Sequence, residues 1–157
     1  MVKNMKDYNK LKLEIEGIFN SLDISYSILD FQDSDLNYNI QINTIGKLKP
    51  LNSITCVLYL CLSDTSINLI VGNIYRIYND NNLLLLYEAI NNINMSISNG
   101  NFILTNDTPK QIFYKSSMNC GNEFLNLDDK LVATQINTFV SALESLLDSL
   151  KNSGFQK

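Results

Sequence analysis

Two neighbouring runs, residues 53–62 and 66–78, constrain this chain more than anything else in it. Both are dense in β-branched and aromatic side chains, and the Ser63-Asp64-Thr65 break between them suits a tight hairpin. In the first run Ile54, Cys56, Leu58, Leu60 and Leu62 share one side, with Val57, Tyr59 and Cys61 on the other. A strand apolar on both sides is central in its sheet or covered on its second face. The rest of the chain must therefore pack around this pair.

On either side of it the periodicity changes. Tyr8, Leu11, Ile15, Ile18, Phe19 and Leu22 fall on one face at helical spacing. Asn37 and Asn39 then alternate with Tyr38, Ile40 and Ile42, and Ile45 follows. This is a strand bounded by the Gln32-Asp33-Ser34-Asp35 turn cluster and by Lys47-Leu48-Lys49-Pro50. Residues 24–31 read equally as a helix exit or a short strand. Asn79-Asp80 offers an N-cap for a helix over about 82–93, which Gly100 closes off. A second hairpin, 101–105 with 111–118, turns through Asp107-Thr108-Pro109. A long helix opens near Asn126 and ends before Gly154, with Val132, Ile136, Phe139, Val140, Leu143, Leu147 and Leu150 on one stripe. Hairpins with helices before, between and after them define the class: one α+β domain over residues 1–157. Its expected form is a twisted antiparallel sheet with an N-terminal, a middle and a long C-terminal helix.

Catalytic and metal chemistry find little to use here. The chain has no histidine, hence neither the commonest general base nor the commonest metal ligand. Its three cysteines have no C-x-x-C spacing, and phosphate-loop, dinucleotide and nucleophile-elbow motifs do not occur. Asp33/Asp35 and Asp128/Asp129 are paired carboxylates. The first pair sits in a turn where Asp bonds to backbone, the second in a first helical turn where negative charge suits the dipole. Arg76, the sole guanidinium, reads as an outer-face residue with its stem along the sheet, and Cys120 lacks a cationic neighbour to activate it. The expectation is no enzyme, no metal and no cofactor.

The net charge of −4, with scattered lysines, argues against nucleic acid. Residues 1–22 show no apolar leader, and no apolar run approaches the ~20 residues of a membrane span. Cys56 and Cys61, five apart in a strand, point to opposite faces and are expected as free thiols in a reducing, cytoplasmic setting.

The middle helix carries the one surface signal. Leu83, Leu86, Tyr87, Ile90 and Ile93 gather on one face and Glu88, Asn91 and Asn92 on the other, so Leu84 and Leu85 project toward the polar arc. They require a second cover, from this chain (residues 23–50) or from a partner.

The 53–60 strand, its turn and the 66–78 strand are followed by the helix ending Asn91-Asn92-Ile93-Asn94. Gly100-Asn101-Phe102, Ile112-Phe113-Tyr114 and a closing amphipathic helix come after it. That series, from about residue 24 onward, resembles the YbjN family, whose members share the fold of type III secretion chaperones. The polar 32–50 segment has no counterpart in it. The resemblance implies a chaperone-like or regulatory adaptor, dimeric, binding an extended polypeptide, and it carries no active-site residues. The leading expectation is thus a homodimeric interaction module with Leu84 and Leu85 at its partner surface. The alternative is a small-molecule sensor, or an enzyme working with carboxylates and Arg76 alone. A polar pocket converging on Arg76 would favour the latter; an apolar groove or an open sheet edge would favour the former.

Overall fold

The computed structural model describes residues 5–29, 36–48, 51–61, 65–78, 81–121 and 129–152. Helix α1 (Met5–Ser21) leads into strands β1 (Ser25–Leu29), β2 (Leu36–Leu48), β3 (Leu51–Cys61) and β4 (Ser66–Ile77). Helix α2 (Leu83–Ser96), the hairpin β5 (Asn101–Leu104) and β6 (Lys110–Asn119), and helix α3 (Asp129–Asn152) complete the order. The strands form one six-stranded antiparallel sheet in the order β1-β2-β3-β4-β6-β5. The α+β class and the three helices stand as expected.

The central position of β3 and β4 accounts for their apolar character, since a strand with neighbours on both sides keeps little of either face in water. All three helices pack on one face of the sheet. Leu11, Ile15 and Phe19 of α1, Leu86 and Ile90 of α2, and Val132, Phe139 and Leu143 of α3 join Tyr38, Leu58, Leu69 and Tyr114 in one buried cluster. No helix among the described residues covers the opposite face, where Asn37, Asn39, Thr55, Val57 and Tyr59 stand.

Within 24–31, Ser25–Leu29 form a strand, because Tyr26 pairs with Ile40 and stacks on Phe19 (5.0 Å between ring centroids) beside Tyr38; residues 30 and 31 lie outside the described residues. Strand β2 runs on to Leu48, past the break expected at Lys47, by inserting extra residues opposite β3: the step Asn43 to Leu48 faces Ser53 to Leu51. Helix α2 starts from Asn82, not Asn79-Asp80. Asn82 adopts a left-handed conformation (φ 65°) and makes no side-chain cap, so its carbonyl alone serves the helix through Leu86 N–H at 3.2 Å. Asn79 and Asp80 lie outside the described residues, as do Asp33, Asp35, Asp128, the 62–64 turn, the 122–128 approach to α3 and Gly154.

Candidate functional site

The middle helix is the first place to look. Nine of its fourteen residues are apolar, Tyr87 included, too many for one stripe. The helix turns Leu86, Ala89 and Ile90 inward, so its buried face is rotated toward Ala89, and Tyr87 stands 44% exposed rather than in the core. Helix α2 packs against α3 and β5, with Leu86, Ala89 and Ile90 on its buried side. Leu84 points straight away from this contact and is 71% exposed; Leu85, on the flank, is 43% exposed. Met95, three turns beyond Leu84 on the same line, is exposed too, as is Tyr78, four residues ahead of Asn82. No described part of the chain covers the two leucines.

The second place is a break in the sheet itself. The β3–β4 ladder runs from Cys61↔Ser66 only to Val57↔Ile70, yet β3 continues to Leu51 along β2 and β4 continues to Ile77 along β6. In β4 the step Val71 to Tyr75 faces the shorter step Tyr114 to Ile112, so two extra residues are inserted around Gly72. An insertion of this kind bends the strand that carries it. An even number of extra residues also returns Tyr75 and Ile77 to the helix-covered face opposite Ile112 and Lys110. The bend carries the lower half of β4 away from β3 and leaves a V-shaped cleft of about 560 Å³. Ile54, Val57, Ile70 and Ile74 wall it, Asn39 and Thr55 add two polar groups, and Leu143 of α3 closes the floor.

The sheet treats its outer margins differently. At the β5 margin the Asn94 side chain donates to Phe102 O (2.9 Å) and accepts from Phe102 N–H (2.8 Å), standing in for a neighbouring strand. Phe102 is held from below by Tyr114 (5.1 Å), which stacks in turn on Phe139 (4.8 Å). Strand β1 forms the other margin.

The remaining sequence candidates do not converge. Arg76 is exposed across from Gln111 and is absent from the cleft lining. Asp129 is exposed in the first turn of α3. Among the described residues no three His, Cys, Asp or Glu side chains gather as a metal site would require. All three cysteines are free thiols: Cys56 faces the core and Cys61 the opposite side, while Cys120 Sγ contacts Met118 O at 3.7 Å. Burial pushes the Cys56 thiol up to about 12, the reverse of what a nucleophile needs. Burial also raises Tyr38, whose hydroxyl donates to Glu16 Oε1 at 3.2 Å and feels that carboxylate's charge. What the structure offers chemically is apolar surface and strand edges. Leu84 and Leu85 were legible from the helical wheel. The cleft was not, although Gly72 inside a strand pattern is the usual mark of a bulge. Among the described residues no helix is long and apolar enough to cross a membrane. No protein-family model matches the chain, and no curated protein does.

Proposed function

We propose that this chain is a non-enzymatic protein-interaction module, chaperone-like or adaptor in kind, that works as a cytoplasmic homodimer and binds another polypeptide. The observation that carries the reading is the outward surface of α2, where Leu84 and Leu85 lie open beside the exposed Met95. The order of elements supports it, being that of the YbjN-like and secretion-chaperone resemblance, as do the three free thiols. The alternative of a site built on Arg76 draws no support, because Arg76 is not in the cleft lining and the described residues that line it carry no charge.

In a two-fold interface each leucine is used twice, and burying one contributes about 1.5–3 kcal/mol. Light scattering after size exclusion of the wild-type chain should therefore give twice the mass of 17.8 kDa. Leu84→Glu with Leu85→Lys should give a folded monomer with the parent circular dichroism. A wild-type monomer at tens of micromolar refutes the dimer, and an unfolded double variant would place the leucines in the core.

A further inference from the structure

We infer that the cleft between β3 and β4 is a docking slot for an uncharged, extended segment of a partner polypeptide, held by main-chain pairing along the open strand edges. The inference rests on the interaction-module reading and names the kind of segment such a module takes.

The topology supplies the first argument. Beyond Val57↔Ile70, residues 51–56 have ladder partners only in β2, and in β4 Val71 and Tyr75 have them only in β6 with the bulge at 72–74 between, among the described residues. Each strand thus turns one edge of N–H and C=O groups toward the cleft, and such an edge is a template for another strand. Six residues of β3 at about 3.3 Å each make an edge of ~20 Å. That suits a length of extended chain better than a compact ligand, which fits an enclosed pocket.

Charge supplies the second argument. Edges that must stay unpaired are guarded by lysine, other charges or proline. Residues 51–61 and 66–75 contain no charged residue and no proline; Arg76 follows them in β4, outside the cleft lining. The margin at β5, by contrast, is sealed by Asn94. A charged segment entering the slot would lose its hydration against Ile54, Val57, Ile70 and Leu143, and among the described residues that line it no counter-charge meets it. The occupant is therefore neutral, with apolar side chains alternating toward the Leu143 floor and small polar ones toward Asn39 and Thr55.

Gly72 makes the slot testable. A Cβ added there meets nothing within 4 Å, and its φ lies outside the left-handed region, so the backbone accepts a side chain at this point of the cleft lining. The probe is a fluorescein-labelled, capped heptapeptide alternating valine and threonine, followed by anisotropy and by amide hydrogen exchange on the full chain. We expect saturable binding and slowed exchange within 51–56 and 71–75. Binding should weaken at least tenfold for Gly72→Trp at an unchanged Tm, for a probe carrying lysine in place of threonine, and for one N-methylated at alternate amides. Three results would overturn the slot: amides in both segments already slow in the free protein, equal binding of the N-methylated probe, or protection confined to β1. A probe that fails to bind refutes the slot alone if Leu84→Glu with Leu85→Lys still splits a wild-type dimer. If the wild type is monomeric yet binds the probe as described, the dimer falls and the slot stands.

Discussion

Gly100 sits at the meeting of α2, β5 and the tyrosine of β6, with φ at +95°. A Cβ there would run into the Tyr114 hydroxyl and ring carbon, and into the Ser116 Cβ at 2.9 Å. Tyr114 cannot step aside, because its hydroxyl donates to Asn99 O (2.9 Å) and its ring is wedged between Phe102 and Phe139. Gly100→Ala should therefore destabilise the fold by about 1–3 kcal/mol through backbone strain, with the steric conflict added. Chemical denaturation checks it, and a variant as stable as the parent would mean the contact is not tight. Cys56 gives a second test at this scale. Its thiol is raised from an ordinary 9.0 to about 12 by burial, and burial also raises Tyr38, Tyr75 and Tyr114 above 10.0. Between pH 9 and pH 12 the folded chain holds protons that the unfolded chain has released, so stability falls as pH rises through that window. The Tm should decline steadily above pH 9, and Cys56 should stay unlabelled by a thiol reagent at pH 8 until the protein unfolds.

At the scale of elements, α3 and α2 illustrate opposite uses of leucine. Helix α3 buries Val132, Phe139, Leu143, Leu146 and Leu150 almost completely, with Leu147 only partly covered. The stripe thus passes through Leu146 where the sequence pattern had favoured Leu147. Phe139→Ala or Leu143→Ala should cost about 2–5 kcal/mol, read as a loss of Tm. Leu84→Ala should change monomer stability by no more than about 0.5 kcal/mol while weakening self-association, a combination that core residues never give. Asn94→Ala removes both hydrogen bonds to Phe102 and should cost about 1–2 kcal/mol. It should also speed exchange in β5 specifically; unchanged exchange there would show that the clamp does not guard the edge.

For the whole molecule, the break between β3 and β4 raises the question of whether the sheet behaves as one body. Residues from β2 and β3 on one side and β4, β5 and β6 on the other belong to a single buried cluster, and α3 touches both β2 and β6. Calorimetric unfolding should thus show one transition whose calorimetric and van't Hoff enthalpies agree. Two transitions, with Leu143→Ala widening their separation, would show that α3 does not couple the halves.

The sequence by itself determined the elements whose period is long and strong: the amphipathic α1 and α3, the doubly apolar β3 and β4, and the two leucines of α2 that no single helical stripe can hold. Those follow from local geometry, since a 3.6-residue or 2-residue repeat must bury one face wherever it ends up. Only the tertiary structure decided the strand status of Ser25–Leu29, the rotation of α2 that exposes Tyr87 and the parting of β3 from β4 at Val57↔Ile70. Each of these depends on what lies across space: β2 offers Ile40 to Tyr26, α3 and β5 offer a surface to α2, and β6 holds the far half of β4 through a bulge at Gly72. A pairing choice between strands distant along the chain leaves almost no trace in either strand alone.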